Sequence, residues 1–308
     1  MKKAIILLAL SLVCGALAAQ NTHDDYLRRY NSLVKNVGAD GVGIETLLLR
    51  WENDFPDDVD MLTGKFSYYF NKCQSESMVR KDATRYLGAK PALTLKDSLG
   101  ADVNYFREIF YDDSLFALSA ASIDRAIKLA PERLDLRFNR LTALLAYEKE
   151  SPDMTTSSLK ALIDYNCTSH PSWNYLGSPA DDDDFKSAVQ EYCYSLYSVG
   201  SPAAFEAFRT ISEKMLSYYK DDPLFTGNIG TYYLIYKKDS KQALKYYNKV
   251  LKKHPDDYTA IKNCVLLSRQ DGNVKQEKKY LPMLIKNAQS DAERAAAEGR
   301  LASLSKKK

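Results

Sequence analysis

The sequence predicts an all-α protein, a stack of antiparallel helix pairs with a small β-hairpin inserted at residues 75–113. Three observations predict it. Apolar residues recur at three- and four-residue spacing along most of the chain. Polar turns carrying Gly, Pro, Asp or Ser cut that pattern into helices of ordinary length. The text of Leu62–Phe70 returns, in its apolar and small positions, at Phe225–Leu234.

The clearest pair spans residues 222–255. Asp222 is a good N-cap, and Pro223 falls in the first turn, where a missing N–H costs nothing. Leu224, Phe225, Ile229, Tyr232, Tyr233 and Tyr236 make one apolar face. Lys237 to Ser240 interrupts it, with lysines suited to the negative end of a helix and Asp239 or Ser240 to cap the next. Ala243, Leu244, Tyr247, Val250 and Leu251 form the second face, which His254-Pro255 stops.

This stretch resembles the tetratricopeptide repeat (TPR), whose pattern is W-x2-L-G-x2-Y, then A-x3-F, then P, over about 34 residues. Ile229-Gly230 and Tyr233 match the first block, and Ala243, Tyr247 and Pro255 match the second. Thr226 stands in the tryptophan place, and the gap from Gly230 to Ala243 is one residue longer than the pattern. The chain thus resembles exported bacterial TPR proteins with divergent repeats. The resemblance implies a right-handed superhelix, with a concave surface lined by the first helix of each pair. It also implies protein or peptide binding there. The residues it places on that surface are Asn228, Thr231, Leu234, Lys262 and Asn263. One lysine is too few for the clamp with which some TPR proteins grip a peptide carboxylate, so that role is not carried over.

Before the first helix, residues 1–19 read as a secretory signal peptide. Lys2 and Lys3 open it, Ala4 to Val13 is the apolar run, and Ala16, Ala18 and Ala19 supply the cleavage zone. Export to the periplasm or medium is therefore expected. A lipid anchor at Cys14 is the lesser alternative, because Val13 is bulky where a lipoprotein signal wants a small residue. No later segment is apolar enough to span a membrane. The formal net charge of +3 falls to +1 when Lys2 and Lys3 leave, which argues against nucleic-acid partners.

Residues 20–74 are read as N-terminal helical repeats. Tyr26, Tyr30, Leu33 and Val34 make one face, and Gly38, Gly41 and Gly43 form a turn rather than a phosphate loop, since no strand precedes them. Ile44 to Asn53 is a second helix. The insert follows: Leu93 and Leu95 alternate with polar residues, Asp97 to Gly100 supplies a turn, and Val103 and Tyr105 resume the extended pattern. It is expected to be dispensable for folding and kept for recognition, because long insertions in compact proteins tend to be functional.

Residues 114–305 are read as a TPR-like solenoid. Its helices are Ser114–Leu129, Leu134–Tyr147, Met154–Tyr165, Phe185–Tyr197, Pro202–Tyr219, the pair above, Tyr258–Arg269, Val274–Ala288 and Asp291–Leu304. The last is alanine-rich and charged, as suits a capping helix. Lys306 to Lys308 form a basic tail. His170 to Gly177 contains W-x2-L-G, but Ser178-Pro179 would break a helix there, so an aromatic turn is expected. Asp181 to Asp184 lacks the alternation and glycine of a calcium loop and is read as helix capping.

No catalytic motif, cofactor motif or zinc spacing is found, so no catalytic residue, metal or cofactor is expected. Cys73, Cys167, Cys193 and Cys264 read as buried free thiols, with Cys167–Cys193 the pair to test for a bridge. The expected function is a non-catalytic exported scaffold for protein or peptide partners. The alternatives are a glycan-binding module using clustered tyrosines, or an enzyme with its site in the insert.

Overall fold

A computed structural model describes residues 22–306. The expected leader, Cys14 and the last two lysines lie outside the described residues. Thirteen α-helices, one π-helical turn and five short strands are present among the described residues. The fold is all-α with a small β insertion, as the sequence predicts. The described residues divide into two compact units, one of residues 22–76 plus 109–136, the other of residues 77–108 plus 137–306.

The first unit holds α1 (His23–Val37), α2 (Ile44–Asp54), α3 (Val59–Lys72) and α4 (Asp113–Leu129). Thr22 and Asp25 form a capping box that starts α1. Gly38 and Gly43 adopt φ of 86° and 90°, which a residue with a Cβ rarely reaches, so the turn after α1 needs its glycines. Tyr26 stacks on fully buried Trp51 at 5.7 Å. Around them Ile44, Leu48, Met61 and Leu62 close the core. α3 and α4 run antiparallel: Ser119 Oγ donates to Phe66 O at 2.9 Å, and Asp112 N donates to Cys73 O at 2.8 Å. The chain therefore leaves this pair at residue 73 and re-enters it beside the exit.

Between those points lie β1 (Gln74–Lys81), β2 (Leu93–Lys96) and β3 (Asp102–Tyr111), in the order β1-β3-β2. The expected hairpin is β2–β3, antiparallel from Leu93↔Tyr105 to Lys96↔Asp102. Strand β1 is an addition to that expectation. Its text, Gln-Ser-Glu-Ser-Met-Val-Arg-Lys, has no alternation to announce it.

The second unit is a run of helix pairs. α5 (Leu134–Glu148) crosses into it at residue 137, followed by α6 (Asp153–Ser169), α7 (Asp182–Val199) and α8 (Pro202–Tyr218). Then come α9 (Pro223–Tyr232), the π turn Tyr233–Lys237, α10 (Ser240–Lys253), α11 (Tyr258–Gln270), α12 (Val274–Asn287) and α13 (Asp291–Lys306). α8 packs on α6, α7 and α9, and from α9 onward each helix packs on its neighbours in sequence. Asp181 caps α7 in a box with Asp184, so the acidic run is a cap. Residues 170–177 are not a bare turn. β4 (Trp173–Tyr175) and β5 (Ser178–Ala180) form a hairpin, with Trp173 buried and its indole donating to Asn166 Oδ1 at 2.7 Å.

The α9–α10 crossing explains the repeat text. A Cβ on Gly230 would lie 2.8 Å from the Tyr247 ring, and Ala243 is fully buried. Small residues stand where the helices approach most closely. The extra residue between Gly230 and Ala243 is absorbed by the π turn, where Lys238 N bonds to Tyr233 O instead of to the carbonyl one residue nearer. Such a turn takes one residue more than an α turn and leaves the helices on both sides in register.

Candidate functional site

The five residues expected on a concave surface separate into two groups. Asn228 is buried: its Nδ2 donates to Gln190 Oε1 at 2.7 Å and to Ser212 Oγ at 3.2 Å. Thr231 shares a hydrogen bond of 3.0 Å with the Tyr247 hydroxyl. Leu234 packs against the core cluster of α10 to α13. These three hold helices together. Lys262 and Asn263 instead line a groove of about 370 Å³ formed by α11, α12 and α13.

The walls of that groove are mainly apolar, built from Val265, Leu266, Leu281, Leu284, Ala296 and Ala297. Leu266 is 41% exposed and offers its side chain to solvent. The spacing 262, 265, 266, 269 puts four α11 side chains on one face. Ala296 and Ala297 on α13 keep the opposite wall low, a use of the alanine-rich text that composition alone does not reveal.

Charges rim the groove, and each is paired. Glu293 accepts from the Tyr258 hydroxyl at 2.7 Å and from Gln289 N at 3.0 Å, and it pairs with Lys262 at 3.0 Å. These contacts, the tyrosine first, hold its carboxyl down at about 2. Glu277 is buried and accepts two bonds from Arg300, at 2.8 and 2.9 Å, and one from Arg269 at 3.0 Å. The Arg300 bonds lead in holding it below the usual glutamate range. A groove with paired rim charges and an apolar floor suits an apolar or amphipathic segment. It offers no spare cation for a carboxylate.

The second concave feature is a cleft of about 680 Å³ where the insert meets the repeats within the second unit. Residues 85–88 line one side; Glu150, the turn from Tyr197 to Pro202, and Phe205 line the other. A Cβ on Gly88 would lie 2.1 Å from Ser198 O, so the insert touches the α7–α8 turn backbone to backbone. Buried Glu108 bridges Lys81 at 3.0 Å and Lys149 at 2.9 Å. Phe106 is 1% exposed and meets Tyr86 edge to face at 5.9 Å. The insert is therefore not a free loop. The sequence reading missed Tyr86, Gly88 and Glu108, because nothing local marks a residue whose partner lies on another element.

The clustered tyrosines are largely spent on packing. Tyr233 stacks on Tyr246 at 5.6 Å, and the Tyr232 hydroxyl donates to Glu206 at 2.7 Å.

No family model and no curated protein matches the chain. Among solved structures it is similar to the flexible tandem repeat domain of a bacterial cellulose synthase component, at 14% identity. That alignment covers 92% of this chain and 96% of the other, with a TM-score of 0.29. A likeness that loose carries no residue, partner or activity across.

Proposed function

We propose that this protein is an exported, non-catalytic scaffold that binds a protein or peptide segment in the α11–α13 groove. The apolar groove carries the reading: Leu266 is exposed on a floor of leucine, valine and alanine, inside a rim of satisfied ion pairs. Burying such a surface favours association at about 25 cal/mol per Å² before ordering costs are subtracted. The titratable groups at the groove are locked in ion pairs, which suits binding and not proton transfer. Export rests on the leader text. The glycan reading has less support, since Tyr233 stacks on Tyr246 and Tyr232 packs against Tyr236.

The test places a photoreactive phenylalanine at position 266, and as a control at position 42, where Val42 is 92% exposed on the first unit. Envelope extract should give discrete crosslinked species at 266 and not at 42, and Lys262→Glu with Ala297→Leu should remove them. Equal labelling at both positions, or labelling indifferent to those changes, refutes the groove as the binding surface.

A further inference from the structure

We propose that His23, Asp58 and Asp60 form a binding site for a divalent transition cation, with zinc the best fit. The three residues come from two helices of the first unit. His23 opens α1, Asp58 is the N-cap of α3, and Asp60 lies in its first turn. Their ligand atoms converge within 4.8 Å of one another. This is a mixed donor set, an imidazole nitrogen from one helix facing two carboxylates from another.

The two separations from the imidazole also match those of ligands around a metal ion. His23 Nε2 stands 3.4 Å from Asp58 Oδ2 and 3.3 Å from Asp60 Oδ2. Zinc binds nitrogen and oxygen at about 2.0–2.2 Å in a tetrahedron, whose ligand-to-ligand edge is then roughly 3.3–3.6 Å. The two separations are thus those of ligands around such an ion.

Surrounding contacts hold two of the three ligands, His23 and Asp58. His23 Nδ1 faces Asp24 Oδ1 at 3.1 Å. An outer carboxylate on one ring nitrogen fixes the tautomer and leaves the other nitrogen's lone pair for the metal. Asp58 cannot swing: its Oδ1 accepts from Asp60 N at 2.8 Å and from Met61 N at 3.1 Å, and its Oδ2 accepts from the Trp51 indole at 3.0 Å. One lone pair on Oδ2 is left for an ion. Arg133, which feels Asp60 at longer range, is held by Asp135 through bonds of 2.8 and 2.7 Å. Three carboxylates around one imidazole give a negative site, and a dication neutralises most of it. The Asp60 side chain is 44% exposed and that of His23 is 39% exposed, so water has access to the fourth position. Imidazole with carboxylate favours zinc, nickel or cobalt over magnesium or calcium, which prefer all-oxygen sets. A bound ion would tie the start of α1 to the start of α3.

The test uses the secreted form of the chain, freed of metal by chelation and dialysed, with zinc and cobalt chlorides as probes. Calorimetric titration should show one zinc per chain, and the cobalt form should show the intense visible bands of a tetrahedral ion. His23→Gln and Asp60→Asn should abolish both signals while retaining the helical circular dichroism. Asp24→Asn, which changes only the outer carboxylate, should weaken zinc binding by about 10–100-fold. Zinc should raise the melting temperature of wild type and leave that of His23→Gln unmoved. Equal zinc uptake by wild type and His23→Gln, or none by either, overturns the proposal and leaves a protonated imidazole bridging the carboxylates. If His23→Gln fails to fold, the Asp24→Asn affinity and the cobalt spectrum of wild type decide alone.

Discussion

Two glycines one helical turn apart on α9 should respond differently to the same substitution. Gly227 and Gly230 both sit inside Pro223–Tyr232. Alanine is intrinsically better than glycine in a helix by about 1 kcal/mol. At Gly227 a Cβ meets nothing within 4 Å, so Gly227→Ala should stabilise by about 0.5–1 kcal/mol. At Gly230 a Cβ would lie 2.8 Å from Tyr247 Cε1 and 3.0 Å from two further ring carbons. Carbon atoms prefer about 3.5–4.0 Å, so the ring would have to retreat by roughly 0.5–1 Å. It has nowhere to go, being fully buried and bonded through its hydroxyl to Thr231. Overpacking costs about 1–3 kcal/mol, which offsets or exceeds the propensity gain. The two variants should therefore differ by about 1–3 kcal/mol, measured as urea midpoints by far-ultraviolet circular dichroism. Ala243→Leu should act like Gly230→Ala, since Ala243 is fully buried at the same crossing. If both glycine variants raise the midpoint equally, the close approach of α9 and α10 is wrong.

Three further outcomes are expected. Burial pushes the Glu206 carboxyl up, but bonds from Tyr232, Lys237 and Arg209 outweigh it and hold it at about 2, against an ordinary 4.5. A depressed carboxylate adds stability above its unfolded value and loses it as pH falls from there toward 2; the side chain is 39% exposed, so the gain is at most about 1 kcal/mol, and the advantage of wild type over Glu206→Gln should vanish in acid melts. All four described cysteines are free thiols, with Cys193 and Cys264 pushed up to about 12 by burial, so half-exposed Cys167 should react first with a thiol reagent; a Cys167–Cys193 disulfide in a non-reducing peptide map would contradict this. Replacing residues 74–111 with a short Gly-Ser turn should keep α3 and α4 paired, because Cys73 O and Asp112 N are already 2.8 Å apart, yet lower the melting temperature by removing buried Phe106; an unchanged melt would make the insert a passive appendage.

The helices were legible because their signals are local. Asp222 and the acidic run from Asp181 announced helix starts that they cap, and His254-Pro255 announced a stop. Gly230 and Ala243 were legible as a close crossing because both are small and stand on facing apolar faces. Their spacing anomaly was visible too, but not its resolution, since a π turn is chosen by tertiary packing and has no text of its own. Strand β1 was missed because it is mostly polar, with its two apolar residues, Met78 and Val79, adjacent rather than alternating, and it finds its place through β3. Of the five residues expected on the concave surface, Asn228 turned inward to Gln190, a partner 38 positions away. Periodicity assigns a residue to a face. It does not say whether another helix covers that face.

The insert shows how a loop becomes structure. Its ends are fixed by the antiparallel register of α3 and α4, so closing it costs little beyond the logarithm of its length. Its residues 77–108 then belong to the second unit, where Glu108 joins the α5–α6 turn through Lys149 and Gly88 meets the α7–α8 turn at Ser198. Gly88 is needed twice over. Its φ of 79° disfavours any side chain, and the carbonyl at 2.1 Å from a notional Cβ leaves no room for one. Gly100 also has positive φ, but open space surrounds it, so only the backbone term applies there. A recognition loop free of the body would need its glycines only for turning. A glycine needed for contact marks a segment built into the packing of the repeats, and the cleft beside it inherits its shape from both.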